Sequence, residues 1–210
     1  MKKYLIIIAL ASAAILIGEA GAQVAESPEN IKPILTGTDV PQLILQDVND
    51  NPFNLNEAIA KQPTILIFYR GGWCPYCTAQ LSQLGEMEQD FLDLGYQIIA
   101  ISPDTPDILK VDYSKFNVHY TLLSDGDMKA AKAFGLAYKV SDEYYKKLLS
   151  NGTDLEKASG EKHHLLPVPA AYVIGTDNKI KFQYVNPDYR VRVNARVLYV
   201  AAEEALKDKQ

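Results

Sequence analysis

Two cysteines, Cys74 and Cys77, are the only thiols in this chain of 210 residues. They lie in the stretch GGWCPYCTAQ, with Pro75 and Tyr76 between them. Because residues three positions apart share one side of a helix, the two thiols can meet if a helix begins at this point. Such a pair could bind a metal, close a structural disulfide, attack a peroxide, or cycle between dithiol and disulfide.

The surroundings of the pair argue against a metal site and against a purely structural bridge. A structural zinc site needs four ligands, and the chain has no second cysteine pair. His163 and His164 are adjacent, so their side chains point in different directions. A disulfide that closes so short a loop constrains the unfolded chain very little. The spacing therefore favours redox chemistry, with no metal and no organic cofactor.

The residues before and after the first cysteine predict a strand followed by a helix. TILIFY, residues 64–69, is an almost continuous apolar run, as in a strand buried on both faces. Gly71 and Gly72 end this run, and Pro75 suits the first turn of a helix. The unpaired amides and the dipole at a helix N-terminus stabilise a thiolate. We therefore expect Cys74 to be the exposed attacking thiolate and Cys77 the resolving thiol.

The rest of the chain predicts an α/β domain over residues 41–210. YQIIAIS and YTLLSD are typical of two further buried strands, with a helix between them in DTPDILKVDYSKF. Strand, helix, strand with short connections predicts parallel pairing and a right-handed crossover. A β-hairpin is predicted at 171–174 and 179–185, a loop at 151–165, and a final helix in ARVLYVAAEEALKD. The expected architecture is a central mixed sheet with helices on both faces.

The N-terminal residues predict export. Lys2 and Lys3 precede an apolar run at 4–17, and Ala20-Gly21-Ala22 fits the small-residue pattern of a cleavage site. The run is shorter than the roughly 20 residues that span a bilayer, which favours a cleaved signal peptide at 1–22 over a retained membrane anchor. Residues 23–40 are polar and are expected to form a flexible leader.

Export would place the protein in the periplasm or outside the cell, where thiols meet oxidants. Membrane association is expected only if the N-terminal segment is retained. The net charge of −5 gives no electrostatic reason for the protein to bind nucleic acid.

These features together resemble the thioredoxin fold, a three-layer α/β arrangement. The features are the buried strand, the Trp-Cys-Pro-Tyr-Cys helix start, and Val168-Pro169 before the hairpin strand. FYRGGWCPYCTAQL and LPVPAAYVI are similar to the AhpC/TSA group, the peroxiredoxin-like branch of that fold, and the similarity runs from about Pro41 to the C-terminus. The resemblance implies a cis Pro169 that faces the dithiol, and backbone groups of Val168 that bind an extended substrate.

The function that this resemblance implies is an antioxidant thiol–disulfide oxidoreductase. Its substrates would be protein or small-molecule disulfides and thiols, and a partner dithiol would supply electrons. Trp73 is expected to cover the sulfurs. The expected supporting residues are Arg70, Trp73, Pro75, Tyr76, Val168 and Pro169.

The alternative function is a thiol-dependent peroxidase. Peroxiredoxins resemble this segment when Cys77 is aligned with their peroxide-attacking cysteine. That family has a proline seven residues before this cysteine and a Thr or Ser three residues before it, where this chain has Arg70 and Cys74. The family's second arginine falls near Pro169, which cannot bind peroxide, although Arg70 could partly substitute. These departures favour disulfide exchange. A non-catalytic binding module is a third possibility, but such modules usually lack one cysteine.

Charged residues elsewhere give weaker signals. Arg190, Arg192 and Arg196 could form a patch for an acidic substrate, but arginines near a final helix are more often solvated or ion-paired, so we assign them no role. Thioredoxin has a buried acid on the strand before its motif, whereas the matching residues 66–68 are Leu-Ile-Phe. Water or another group would therefore have to accept the proton.

Overall fold

The strand that precedes the cysteines lies at the centre of a seven-stranded mixed sheet in the computed structural model, which describes residues 24–116 and 118–207. The strands are β1 (Ile44–Asp47), β2 (Pro52–Asn54), β3 (Thr64–Phe68), β4 (Gln97–Ser102), β5 (Thr121–Ser124), β6 (Ala137–Lys139), β7 (Leu165–Pro167), β8 (Ala170–Ile174) and β9 (Ile180–Val185). The helices are α1 (Leu55–Lys61), α2 (Pro75–Glu86), α3 (Glu88–Asp93), α4 (Pro106–Phe116), α5 (Lys129–Ala133), α6 (Asp142–Ser150), α7 (Leu155–Ser159) and α8 (Ala195–Lys207).

The large sheet has the order β2-β1-β5-β4-β3-β8-β9. Strand β4 pairs in parallel with β3 on one side and with β5 on the other, which confirms the predicted strand–helix–strand units. Strand β8 pairs antiparallel with β3 and forms the predicted hairpin with β9. The parallel centre and antiparallel edges make this the mixed sheet that the sequence predicts.

Alternate side chains of β3 fill two separate cores. Ile65 and Ile67 pack on one face with apolar residues of α2, α3, α4 and α8. Leu66 and Phe68 pack on the other face with residues of α1 and α5. Because successive side chains of a strand point to opposite faces, a continuous apolar run is what a doubly covered strand requires. The three-layer α/β fold is therefore confirmed.

Two segments differ from the sequence-based expectation. The helix after the cysteines does not run unbroken to Gly95, since the amide of Met87 donates to the carbonyl oxygen of Leu84 at 3.2 Å, a tight turn that separates α2 from α3. The predicted loop at 151–165 contains α7, which the Asp154 side chain caps. This loop ends in β7, which pairs antiparallel with β6 as a small second sheet.

The N-terminal segment lies partly outside the described residues, and the predicted signal peptide at 1–22 is in that part. Residues 24–40, which we expected to be a flexible leader, lie along the domain. Backbone amides of Lys32 and Ile34 donate to the carbonyl oxygens of Gly135 and Phe134 at 3.2 and 3.1 Å. Within the described ranges, no helix has the length and apolar character that a membrane crossing needs.

We predict that Leu198→Ala will destabilise the fold far more than Val197→Ala. Leu198 is fully buried in the core that α8 shares with α2, whereas 51% of Val197 is exposed. Truncating a buried leucine removes apolar burial and leaves a cavity, at a cost of about 2–5 kcal/mol, while exposed sites change stability by about 0.5 kcal/mol or less. Urea unfolding of both variants measures the difference. Equal losses would contradict the packing of α8.

Candidate active site

The turn between β3 and α2 has no room for side chains at its two glycines. Gly71 has φ +140°, and a Cβ there would collide with the indole of Trp73. A Cβ at Gly72 would collide with the carboxylate of Asp112. The Gly72 amide donates to Asp104 Oδ2 at 2.8 Å, which ties the turn to the end of β4. The two glycines that mark the strand end in the sequence are thus required by close packing.

Cys74 is the N-cap residue of α2, and Pro75 is in its first turn, as predicted. The amides of Cys77 and Thr78 both donate to the Cys74 carbonyl oxygen at 3.0 Å. Cys77 therefore lies one turn along the same helix. This geometry places Cys74 at the positive end of the helix dipole.

Neither sulfur has the open exposure that we expected for Cys74. The two cysteines are 1% and 0% exposed, because α2 packs its first turn against the core. Cys74 instead lines a cleft of about 260 Å³. Most of the cleft lining is aromatic or apolar, and the other lining residues are Arg70, Trp73, Pro75, Tyr76, Tyr144, Lys147, Leu148, Asn151, Thr153 and Tyr189. Cys77 is not among the lining residues, so the first sulfur that a small molecule meets is that of Cys74.

The pKa values of the two thiols are shifted in opposite directions. A hydrogen bond from the Cys77 side chain, followed by the positive charge of Arg70, lowers the pKa of Cys74 from 9.0 to about 6, although burial opposes this shift. Burial raises the pKa of Cys77 well above its usual value, and the hydrogen bond to Cys74 and the charge of Cys74 add to this effect. The first thiol to ionise is therefore Cys74, as the sequence predicts for a sulfur at a helix N-terminus.

Arg70, an expected supporting residue, is a buried cation beside the cleft. It is 1% exposed, and its Nη2 donates to the Tyr144 hydroxyl at 2.7 Å. Its guanidinium lies 4.0 Å from the ring centroid of Tyr189 and 4.9 Å from that of Trp73. None of the ion pairs among the described residues includes Arg70. Its positive charge is thus available to a thiolate or to a bound substrate.

Arg192, to which we assigned no role, contacts the second sulfur. Its Nη2 lies 3.2 Å from Cys77 Sγ, although 115 residues separate the two in the chain. The sequence gives no sign of this contact, because Arg192 belongs to the irregular segment between β9 and α8. Its neighbour Arg190 fits the expectation, with an exposed ion pair to Asp188 at 2.8 Å. Arg196 is also exposed, with its guanidinium 5.2 Å from the centroid of the Tyr199 ring.

The structure contradicts the expected roles of Val168 and Pro169. The described backbone contains no cis peptide bond, so Pro169 is trans. The Val168 amide donates to the Leu136 carbonyl oxygen at 2.9 Å, which extends the pairing of β6 with β7 and leaves that amide unavailable to a substrate. Both residues are buried, and neither lines the cleft. Val168 instead packs in a small core against Trp73.

Two buried carboxyl groups lie behind the turn, although β3 carries none. Asp104 accepts hydrogen bonds from the Gly72 amide at 2.8 Å and from the Ser102 hydroxyl at 3.2 Å. Burial raises the pKa of Asp104 to about 7 and that of Asp112 to about 6. Both acids follow β4 in the chain, so a search of β3 alone could not find them. The described residues contain no group of three or more His, Cys, Asp or Glu side chains that could hold a metal ion.

Comparison with known proteins gives the same picture of the fold. The chain is similar to peroxidoxin BcpB from Mycobacterium tuberculosis, with a TM-score of 0.64 and 20% identity over 83% of this chain and 97% of that one. It is also similar to reduced Prx3 from Vibrio vulnificus, with a TM-score of 0.66 and 18% identity over 81% of this chain and 99% of that one. At these identities the likeness shows the thioredoxin-like fold.

Sequence relatives cover about half of this chain. A putative peroxiredoxin bcp from Haemophilus influenzae is 29% identical over 106 residues, which are 50% of this chain and 68% of the relative. The chloroplastic peroxiredoxin Q of Gentiana triflora is 32% identical over 100 residues, 48% of this chain and 46% of the relative. The model of the AhpC/TSA family matches residues 36–183, which include both cysteines, Arg70 and the hairpin. The chain is therefore an oxidoreductase that belongs to the AhpC/TSA family.

Proposed function

We propose that this protein is a peroxiredoxin-type thiol peroxidase in which Cys74 attacks the peroxide and Cys77 resolves the product. The observation that carries the proposal is the Cys74 sulfur itself, which has a pKa of about 6 and lines a cleft beside a buried guanidinium. The relatives named above are described as peroxiredoxins, which supports the peroxidase reading over the disulfide exchange that the sequence motif favoured.

The first step needs a thiolate and a donor for the departing oxygen. The Cys74 thiolate attacks the terminal oxygen of a hydroperoxide, an S–O bond forms, and the O–O bond breaks. Cys74 becomes a sulfenic acid, and the other oxygen leaves as an alkoxide or hydroxide that takes a proton from solvent. Arg70 can stabilise this developing negative charge because its Nε has no hydrogen-bond partner among the described residues.

The second step uses the cysteine one helical turn away. Cys77 attacks the sulfenic sulfur, water leaves, and a Cys74–Cys77 disulfide forms. A partner dithiol then reduces this disulfide and restores both thiols. If the protein is exported, as residues 1–22 suggest, that dithiol would have to act in the periplasm or outside the cell.

A second candidate function is thiol–disulfide exchange with other proteins or small disulfides. It is favoured by one observation, that the acidic thiol and its resolving partner occupy a single helical turn. The same Cys74 thiolate would then attack a disulfide sulfur, and Cys77 would release the product. In this function Arg70 would serve the thiolate and not the leaving oxygen.

Separate cysteine variants test which sulfur attacks. We expect Cys74→Ser to lose hydroperoxide consumption, since the serine hydroxyl is not ionised at neutral pH. We expect Cys77→Ser to react once and to accumulate a sulfenic acid on Cys74, which dimedone labelling and mass spectrometry detect. Both variants should lose catalytic turnover with a dithiol reductant.

The opposite behaviour of the two cysteine variants would contradict the assignment of Cys74 as the attacking sulfur. Turnover of one equivalent of hydroperoxide by Cys74→Ser, absent in Cys77→Ser, would make Cys77 the attacking sulfur, as in the family alignment. Wild-type protein that reduces insulin disulfides but consumes no hydroperoxide would leave disulfide exchange as the function.

The acidity of Cys74 predicts a pH dependence that can be measured in Cys77 variants, where only one thiol reacts. Alkylation by iodoacetamide should rise with pH through a midpoint near the pKa of about 6, because only the thiolate reacts. Cys77→Ser keeps a hydrogen-bond donor and should keep this low midpoint. Cys77→Ala removes the donor and should shift the midpoint upward, towards the value of an ordinary cysteine. Equal midpoints in the two variants would show that the hydrogen bond does not lower this pKa.

A further inference from the structure

Arg192 has a partly buried guanidinium group to which the proposed function assigns no role. Its Nε and Nη1 are buried and have no hydrogen-bond partner among the described residues. None of the described ion pairs includes it. Removing a guanidinium from water is costly unless an anion compensates for it. The acceptor that its remaining Nη2 reaches is the sulfur of Cys77, at 3.2 Å.

Cys77 must become a thiolate to act as a resolving cysteine, but its surroundings disfavour the ionised form. Burial is the largest cause that raises the pKa of Cys77, and the hydrogen bond to Cys74 and the negative charge of Cys74 raise it further. Arg192 is the largest influence in the other direction. The partly buried cation of Arg192 therefore lies beside a buried thiol whose ionised form it would stabilise.

We propose that Arg192 is a catalytic residue of the resolving step, in which its guanidinium holds Cys77 as the thiolate that attacks the Cys74 sulfenic acid. This inference rests on the proposed peroxidase function. The Cys77 S–H bond and the Cys74 S–O bond break, an S–S bond forms, and the thiol proton leaves on the departing hydroxide as water. No further oxidant or reductant is needed for this step.

The same electrostatics set the order of the two steps. In the reduced protein the negative charge is on Cys74, and its repulsion keeps Cys77 protonated. When Cys74 becomes a neutral sulfenic acid, this repulsion disappears, while the guanidinium of Arg192 stays beside Cys77. Cys77 thus becomes more acidic only after the peroxide has reacted. Arg70 is the larger cationic influence on Cys74, and Arg192 is the larger one on Cys77.

Trp73, the single tryptophan of the chain, offers a fluorescence signal next to Cys74 for testing this assignment. In stopped-flow experiments with hydroperoxide, attack gives a phase whose rate depends on peroxide concentration, and resolution gives a phase that does not. We expect Arg192→Met to leave the first phase within about twofold and to slow the second by about 10- to 100-fold, as expected for losing a hydrogen bond to a charged group. Arg192→Lys should restore part of the rate.

Arg190→Met is the matched control, because Arg190 is exposed and pairs with Asp188. It should change neither phase. The pH midpoint of the second phase should move upward in Arg192→Met, which a purely structural role would not cause. An unchanged second phase in Arg192→Met, or an equal slowing of both phases with an unchanged pH midpoint, overturns the proposal.

A peroxide-free assay separates this inference from the proposed function. 5,5′-Dithiobis(2-nitrobenzoate) releases one coloured thiolate when Cys74 attacks it and a second when Cys77 resolves the mixed disulfide. We expect Arg192→Met to slow only the second release. If wild-type protein does not react with hydroperoxide and this pattern holds, the peroxidase function fails while Arg192 keeps its role towards Cys77. If both releases match those of the wild type, the role of Arg192 fails whatever the function.

Discussion

At the start of helix α2, the sulfur of Cys74 must carry a negative charge although it is almost fully buried. Burial alone raises the pKa of both thiols. At Cys74 the hydrogen bond from the Cys77 side chain, the charge of Arg70 and the hydrogen bond from the Cys77 amide outweigh this penalty, and the pKa falls to about 6. The buried guanidinium of Arg70 and the partly buried one of Arg192 are costly in the same way, so cations and sulfurs stabilise each other.

The arginines near the sulfurs come from other sequence positions than in the family pattern, but positive charge still lies close to both sulfurs. By the resemblance to peroxiredoxins, the late arginine of that family falls near Pro169, which is buried and outside the cleft. Positive charge reaches the sulfurs instead from Arg70, at the family's proline position, and from Arg192 in the segment before α8. Cys74 takes the place of a hydroxyl and brings both thiols into one helical turn. In a comparison of motifs these changes are missing family residues, whereas in the folded protein Arg70 and Cys74 lie together at the same site.

The sequence predicted the parts of the site that depend on neighbouring residues and missed those that depend on distant ones. A strand at 64–69, a glycine turn and a helix at Pro75 are local signals, and they were sufficient to place Cys74 at a helix N-terminus. The contact between Arg192 and Cys77 joins residues 115 positions apart, so no local pattern encodes it. The small sheet of β6 and β7 was missed for the same reason, because its strands are short and separated by two helices.

The buried acid Asp104 shows how the turn can be held firmly without opposing the thiolate. Its Oδ2 accepts from the Gly72 amide, which fixes the turn to the end of a central strand and hence fixes the position of the helix start. A full negative charge there would repel the Cys74 thiolate. Burial, followed by the negative charge of Asp112 and then that of Cys74, raises the pKa of Asp104 to about 7. The burial that raises this pKa favours the neutral form of the acid beside the thiolate, so a carboxyl group can anchor the turn and still leave the negative charge on sulfur.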